Sequence, residues 1–287
     1  LTWKRISMGQ EFQRDTVTAF ATDKKDPDVI YASMKNAGVY KTIDGGLSWS
    51  PVNQGLTSTK VESLLIESQN PLILYASTVG GIFKTEDGGK NWSRIGEGTY
   101  LLMDWQDNSH LYARDGNGIY ETADQGSTWT TTHPLNENCP KTILSWAIHP
   151  LDGNTLLAGG GEGCEIGLYQ SDDGGHTWSW MEVGEGFYVD ELAIGLNKQE
   201  NVSIYAKYYT DEYDPEQVYR IRGDLVSYDG GKTWQPDNGN RVFAIDEEFP
   251  FTVYSAGGSG LWASHGKDYP SRRIGLRTIA ISAIHVD

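Results

Sequence analysis

The fold is decided by a stretch of eight residues, Thr42-Ile43-Asp44-Gly45-Gly46-Leu47-Ser48-Trp49. Related stretches occupy positions 85–92, 122–129, 171–178 and 227–234, and all follow the pattern Ser/Thr-x-Asp-x-Gly-x-Ser/Thr/Asn-Trp. The Asp positions are separated by 43, 37, 49 and 56 residues. An internal repeat of this period indicates an architecture built from one recurring supersecondary unit.

The chain around each repeated stretch also follows one plan. In the second unit an alternating apolar stretch at 61–66 precedes a turn, two further short apolar stretches follow at 74–77 and 81–84, and a last one lies at 92–95. This pattern predicts four short strands per unit. Units of about forty residues with four strands are typical of β-propeller blades. The strands are named a to d, from the predicted axis outward.

The residue types of the repeated stretch suit a tight turn between strands c and d. An Asp side chain can accept backbone N–H bonds, Gly tolerates positive φ, and the hydroxyl residue caps the turn. A Trp that follows can cover the turn and pack between blades. We therefore expect structural residues here rather than catalytic acids or calcium ligands. The residues given this role are Asp44, Trp49, Asp87, Trp92, Asp124, Trp129, Asp173, Trp178, Asp229 and Trp234.

The motif resembles the Asp-box, or bacterial neuraminidase repeat. That repeat is found in sialidases, xyloglucan-degrading glycoside hydrolases, sortilin-type receptors and the photosystem II assembly and stability factors. The resemblance covers nearly the whole chain and implies a β-propeller. Because those families share the repeat and little else, it does not fix an activity.

The predicted organisation is all-β, a single propeller domain over 1–287. The predicted blades are about 16–57, 58–98, 99–136, 141–186, 187–239 and 240–275, the last with a worn repeat at 264–269. Segments 1–15 and 276–287 resemble the outer and inner strands of a further blade. We expect seven blades with an incomplete closing blade, because strands a and d are not neighbours and cannot pair alone. A six-bladed ring is the alternative.

Composition limits the classes of partner. The 287 residues include 39 acidic and 23 basic residues, which gives a formal charge of −16. Such a charge argues against nucleic acid or an anionic membrane surface. No apolar run is long enough for a transmembrane segment, and the first residues show no secretory signal, so we expect any signal peptide to have been removed.

Two cysteines, Cys139 and Cys164, lie in loops that the predicted topology places on one face of the fourth blade. We expect a disulfide between them and hence an extracytoplasmic compartment, with two unpaired thiols as the alternative. Cys-x-x-Cys spacing is absent and the six His are scattered, so no metal site and no cofactor are expected.

Propeller ligands usually bind around the loops between strands b and c and between blades. The fifth blade carries the longest such insertion, over 207–220, rich in Tyr and acidic residues. These types suit recognition of a protein surface or a sugar, although a solvated loop is the ordinary alternative. The predicted binding residues are Tyr208, Tyr209, Asp211, Tyr213, Asp214, Tyr188 and Asp190.

An enzyme of this fold would be a glycoside hydrolase, which needs two carboxylates about 5 to 10 Å apart. Asp190 and Glu191 are the candidate acids, with Glu62 and Asp104 expected at the same channel mouth. Polar lining of a wet channel is the more ordinary explanation of these residues. Sialidase chemistry would also require an arginine triad and an Arg-Ile-Pro motif, and Arg5-Ile6-Ser7 is not that motif.

The sequence thus favours a non-catalytic, extracytoplasmic propeller that binds a protein partner as a scaffold, subunit or assembly factor of a larger complex. The photosystem II factors share this plan, but they are known for an Arg-rich patch, whereas this chain is acidic. The alternative is a carbohydrate-active protein, either a glycosidase or a lectin-like module.

Overall fold

A computed structural model describes residues 15–115, 118–132, 143–160, 167–184, 186–196, 202–213, 218–236, 241–246, 252–257, 260–264 and 272–275. For residues 196, 211–222 and those from 241 onward the backbone alone is described. All regular structure in these ranges is β-strand, as the repeat predicts. Among the described residues, the chain divides into two compact units, one over 15–131 and the other over 132–275.

The first unit contains three four-stranded antiparallel sheets whose strands follow one another in chain order. The first sheet is β1 (Val17–Asp23), β2 (Asp26–Met34), β3 (Gly38–Thr42) and β4 (Ser50–Pro51). The second is β5 (Val61–Ile66), β6 (Leu74–Thr78), β7 (Gly81–Thr85) and β8 (Ser93–Gly96). The third is β9 (Tyr100–Met103), β10 (Leu111–Arg114), β11 (Ile119–Thr122) and β12 (Thr130–Thr132).

The second unit repeats this arrangement in three more sheets. The fourth sheet is β13 (Ile143–His149), β14 (Asp152–Gly160), β15 (Gly167–Ser171) and β16 (Ser179–Met181). The fifth is β17 (Tyr188–Leu196), β18 (Val202–Tyr213), β19 (Val218–Ser227) and β20 (Gln235–Pro236). The sixth is β21 (Arg241–Asp246), β22 (Thr252–Gly257), β23 (Gly260–Ser264) and β24 (Arg272–Gly275).

Apolar side chains of neighbouring sheets meet to form the core. Between the first and second sheets, Tyr31, Leu64 and Phe83 belong to one buried cluster, which Trp92 joins at 4% exposure. The indole Nε1 of Trp92 donates to the carbonyl of Val52, 2.8 Å away, on the preceding sheet. The Trp of the second repeated turn therefore joins two sheets by burial and by a hydrogen bond.

The repeated turns hold themselves closed through side-chain hydrogen bonds. In the second turn, the Thr85 hydroxyl donates to Asp87 Oδ1 at 2.8 Å and accepts from the backbone N–H of Gly89 at 3.1 Å. The side-chain amide of Asn91 donates to the other Asp87 oxygen at 2.7 Å. The same bonds recur at the four other turns, around Asp44, Asp124, Asp173 and Asp229.

Hydroxyl groups also join neighbouring sheets near the start of three first strands, those of the second, third and fifth sheets. The Thr18 hydroxyl donates to the carbonyl of Val61 at 2.9 Å, and the Ser77 hydroxyl donates to that of Thr99 at 2.6 Å. In the second unit, Ser145 donates in the same way to the carbonyl of Val189 at 2.9 Å. The Ser145 bond fixes the start of the fifth sheet's first strand against the fourth sheet.

The predicted all-β class and the four strands per unit are confirmed. The number of blades stays a prediction. Of the expected closing segments and the worn repeat, only Asp15 and Ser264 belong to the described residues.

Candidate functional site

The fifth sheet departs from the other described sheets in the length of its central hairpin. Strands β18 and β19 have 12 and 10 residues, whereas second and third strands elsewhere have at most 9 and 5. The pairing of β17 with β18 begins at Tyr188 opposite Tyr209. Beyond it, residues 210–213 pair with 218–221 as a two-stranded extension, here called the ribbon. The insertion expected as a loop is thus mostly strand.

Two stacked aromatic pairs lie where the ribbon leaves the sheet. The rings of Tyr188 and Tyr209 are 4.7 Å apart and 3° from parallel, and those of Phe187 and Tyr208 are 3.9 Å apart and 13° from parallel. Because adjacent strand residues face opposite sides, the two pairs lie on opposite faces of the sheet. The predicted tyrosines are therefore divided between two surfaces.

The Phe187–Tyr208 pair belongs to the core. Tyr208 and Phe187 pack against the buried cluster that contains Val189. Gly223 lies directly opposite Tyr208 in the register, and a Cβ there would come within 2.5 Å of the Tyr208 hydroxyl oxygen. The glycine therefore provides the space in which the ring lies. Phe187 was not among the predicted residues, although its position beside Tyr188 was a usable signal.

The Tyr188–Tyr209 pair lies on the other face, beside an ion pair. Glu191 and Lys207 are opposite each other in the register, and their charged atoms are 3.6 Å apart. Their side chains are 32% and 24% exposed. One face thus carries a stacked, partly buried tyrosine pair and a partly exposed ion pair.

Asp190 is the extra residue of a β-bulge between Val189 and Glu191. Its Oδ1 is buried and has no hydrogen-bond partner among the described residues. First strands of three other described sheets contain a bulge at the corresponding place, occupied by Thr18, Glu62 and Leu144, and that of the sixth sheet contains one at Phe243. The bulge itself is part of the repeat. The carboxylate of Asp190, with a buried oxygen that has no partner among the described residues, is not part of it. Such a group needs a structural or functional explanation.

Comparison of the strand registers also shows where the fifth sheet differs from the repeat. The β18 position that holds Lys207 is filled by Ser33, Ser77 and Gly159 in the first, second and fourth sheets. There Ser77 joins its sheet to the next one. Aligning the strands by their repeats would have singled out Lys207 from the sequence, which inspection of the loop composition did not.

The remaining predicted residues are distributed as follows. Asp211 and Tyr213 lie on β18 opposite Arg220 and Val218, with the backbone alone described. Asp214, Cys139 and Cys164 lie outside the described residues.

The expectation for Asp104 is wrong. Asp104 follows the end of β9 and accepts a bond from the N–H of Gln106 at 2.8 Å, so it belongs to the turn between the first two strands. Glu62 does lie near the start of its strand, where it is 3.1 Å from Lys60.

The five repeated aspartates are occupied by their own turns. Hydrogen bonds from neighbouring side chains and backbone amides lower the pKa of each carboxyl to about 2. Within the described residues no group of three or more His, Cys, Asp or Glu could hold a metal ion. In the same part of the chain, no helix has the length and apolar character of a membrane span.

Sequence comparison decides the family. Residues 1–259 match the family described as the DUF6242 beta propeller domain. The chain belongs to this family. The predicted β-propeller is thereby confirmed.

Solved structures show the same fold. An ancestral GH74 enzyme is 16% identical with a TM-score of 0.70, over 90% of this chain and 38% of that one. YCF48 bound to D1 peptide is 17% identical with a TM-score of 0.51, over 84% and 88% of the two chains. The extracellular domain of a B. thetaiotaomicron protein is 13% identical with a TM-score of 0.62, over 96% and 38%.

These likenesses concern the fold alone, and the chain spans about two fifths of the GH74 enzyme. The similar proteins match the propeller superfamily that the sequence suggested. A search of curated proteins found no significant match.

Proposed function

We propose that this chain is a non-catalytic, extracytoplasmic propeller that binds a protein partner, as a subunit or assembly factor of a larger complex. The partner binds at the ribbon end of the fifth sheet. The observation that carries this proposal is the stacked Tyr188–Tyr209 pair, beside which the hairpin extends beyond its first strand.

The aromatic pair has the properties of a recognition surface. Tyr combines a large rigid ring with a polar hydroxyl, and few rotatable bonds are immobilised when a partner binds. The rings are stacked before any ligand is present, so their ordering does not have to be achieved during binding. The ion pair beside them adds charge that can select a partner.

The carboxylates fit binding better than glycoside hydrolysis. A glycosidase uses one carboxyl as an acid and a second one as a base or nucleophile across a cleft. Glu191 instead pairs with Lys207 at 3.6 Å, and the repeated aspartates close their own turns. Asp190 is then left without a second available acid, which glycoside hydrolysis requires.

The similar proteins are in keeping with this proposal. YCF48 is a propeller whose structure contains a bound D1 peptide, and the B. thetaiotaomicron domain is extracellular. The expected Cys139–Cys164 disulfide belongs to the same proposal. Thiol labelling of the unreduced protein tests it, because a disulfide leaves both cysteines unlabelled and an intracellular form leaves both reactive.

The test compares partner capture by matched variants. The protein is isolated from its source under native conditions, and every stoichiometric companion is identified by mass. Tyr188→Ala with Tyr209→Ala should abolish recovery of that companion, whereas Trp180→Ala should not. Trp180 is 50% exposed on β16 and therefore controls for loss of a surface aromatic. Equal recovery with all variants would overturn the proposed site.

A carbohydrate-active protein is the second candidate, favoured by the flat tyrosine pair and the unpaired oxygen of Asp190. It predicts hydrolysis or binding on a panel of glycans. Loss of that activity in Asp190→Asn and Glu191→Gln, with unchanged melting temperature, would support this candidate and displace the first one.

A further inference from the structure

A cavity of about 430 Å³ lies between the second and third sheets, within the first compact unit. It is lined by the second and third repeated turns, by Lys84 of β7 and by Ser93 and Ile95 of β8. None of the residues proposed to bind the partner protein belongs to this lining. The cavity is therefore a second place at which the chain can bind a molecule.

One residue of the lining departs from the repeat. Gln125 follows the aspartate of the third turn, at the position that is glycine in the four other repeated turns. Its φ is +60°, and among the described residues it is the one residue other than glycine with a positive φ. Glycine adopts this conformation without strain, whereas a residue with a Cβ does so at a cost in free energy. A glutamine side chain at this position therefore needs an explanation.

Contact between the two sheets does not by itself explain the glutamine. The ammonium of Lys84 donates to Gln125 Oε1 at 2.8 Å and to Glu86 Oε1 at 2.7 Å. In the first sheet, the lysine at the same repeat position, Lys41, donates to the backbone carbonyl of Gly88 in the second turn at 3.5 Å. A glycine thus suffices for a contact of this kind. The glutamine adds a second polar group, its side-chain NH2.

The hydrogen bonds of the lining decide which polar atoms stay available. A lysine ammonium can only donate, so Gln125 turns its oxygen toward Lys84 and keeps its NH2 for another acceptor. An ionised carboxylate can only accept, so Asn91 turns its side-chain NH2 toward Asp87, 2.7 Å away. The side-chain oxygen of Asn91 therefore stays available as an acceptor.

The available groups suit a ligand with several hydroxyls. Gln125 provides a fixed donor, Asn91 and the second oxygen of Glu86 provide acceptors, and the Ser93 hydroxyl can act as either. A sugar hydroxyl both donates and accepts, so neighbouring hydroxyls can match such a mixed set. Ile95 adds an apolar side chain that the C–H groups of a sugar ring can contact.

Charge favours a neutral ligand. Lys84 and Glu86 form an ion pair, and the Lys84 side chain is only 13% exposed. A cationic ligand would meet this weakly screened ammonium. An anionic ligand would meet the carboxylates of Glu86 and Asp87, which line the same cavity. Both kinds of ion are therefore disfavoured relative to an uncharged molecule.

We propose that the cavity between the second and third repeated turns binds a neutral sugar of one or two rings. The NH2 of Gln125 and the side-chain oxygen of Asn91 bond to its hydroxyls. The cavity volume lies in the range of about 300–1,000 Å³ that is usual for small-molecule sites. This binding involves no bond cleavage and goes beyond the proposed function.

The first experiment locates the ligand by nuclear magnetic resonance of the whole chain, isotope-labelled in its glutamine side chains. The NH2 signals of Gln125 are assigned as those that disappear in Gln125→Gly. The probes are maltose, cellobiose and lactose. At least one of them should shift these signals saturably, with a Kd of about 1 mM or tighter.

Matched variants test the two named groups by calorimetric titration with the same disaccharide. Gln125→Gly introduces the residue of the four other turns, and Asn91→Thr introduces the residue of three of them, so both variants keep the turn. Each should weaken binding by about fivefold or more, because one hydrogen bond to the sugar is lost. Their urea midpoints should not fall appreciably.

Two control variants should bind the disaccharide within about twofold of the unaltered chain. Lys90→Gln removes a charge from an exposed residue of the second turn that does not line the cavity. Asp190→Asn, which tests the carbohydrate-active alternative at the fifth sheet, changes a residue of the other compact unit.

Several results would overturn this inference. One is the absence of any shift with the three disaccharides at about 50 mM, far above a millimolar Kd. A second is equal binding by Gln125→Gly and the unaltered chain. Tighter binding of glucuronate or glucosamine than of every disaccharide would refute the neutral class. Displacement of the disaccharide by triglycine at equal concentration would indicate a peptide site instead.

Discussion

Tyr188 and Tyr209 should stabilise each other by a measurable amount even without a partner. Their centroid distance of 4.7 Å and interplanar angle of 3° lie in the range of offset stacking. Such a pair contributes about 1 kcal/mol beyond its buried area, which corresponds to a factor of about 5 in an opening equilibrium. The perturbation is a double-mutant cycle with Tyr188→Ala, Tyr209→Ala and both together.

The assay is hydrogen exchange of the β17 and β18 amides in each variant. Exchange reports the free energy of local opening, so it does not require both compact units to unfold together. Each single substitution should lower that free energy. The two single effects added together should exceed the effect of the double substitution by about 1 kcal/mol.

The control cycle combines Tyr188→Ala with Tyr208→Ala. Tyr208 stacks on Phe187 on the opposite face, so the coupling should stay below about 0.5 kcal/mol. A coupling near zero for Tyr188 and Tyr209, or an equal coupling in both cycles, would refute the view that this pair is a preformed surface.

Three further predictions concern the scaffold. Trp92→Ala should lower the free energy of unfolding by about 3–5 kcal/mol, since a buried indole and its bond to Val52 are lost, whereas Trp180→Ala should change it by less than about 1 kcal/mol; urea unfolding checks both. Gly55→Ala should destabilise by a few kcal/mol, on the order of a core defect, because φ is +97° and the new Cβ would lie 2.1 Å from the Trp92 carbonyl oxygen; an unchanged urea midpoint would contradict this. On acidification the chain should lose stability between about pH 4 and pH 2, because the five repeated aspartates have a pKa of about 2 in the folded state, below their ordinary 3.8. Asp87→Asn should reduce that loss of stability. Urea unfolding at several pH values measures the loss in both proteins.

The lowered pKa values of the five aspartates explain why acid destabilises the fold. A carboxyl whose pKa is lower in the folded state stabilises the fold while it is ionised. The contribution is fully present above the unfolded pKa and disappears as the pH falls through the folded one. The buried carboxyl of Glu67 acts in the opposite direction, because burial raises its pKa, so its protonation on acidification favours the folded state.

The scaffold could be predicted because its information is local and repeated. Each repeated turn contains its own donors and acceptors within about seven residues, so Asp87 and its partners are recognisable in one stretch. Short apolar alternation around the turns then predicts the strands. The turn pattern and the apolar alternation both occur in most units, and this repetition shows that they are not coincidental.

The site was predicted less well because it depends on register. Composition identified the Tyr-rich insertion of the fifth unit but treated it as a loop. The pairing that places Tyr188 on Tyr209, and Tyr208 on the other face, is set by a bulge at Asp190. A shift of one residue exchanges the faces of a strand, and the sequence of the insertion does not state that register.

Asp104 was misplaced for a related reason. Its expected position required knowing where β9 begins and ends, and strand boundaries are the least certain part of a pattern-based prediction. The strand ends at Met103, and Asp104 instead accepts a backbone bond in the following turn.

The central claim is that the ribbon end of the fifth sheet binds a protein. The most direct measurement is site-specific photo-crosslinking in the native source, with benzoylphenylalanine placed at Tyr209 or, as the control, at Ile43, which is 71% exposed in the first repeated turn. The account predicts one discrete crosslinked protein from position 209 and none from position 43. A product from position 43 alone, or no product from either position while the chain hydrolyses a glycan, would contradict it.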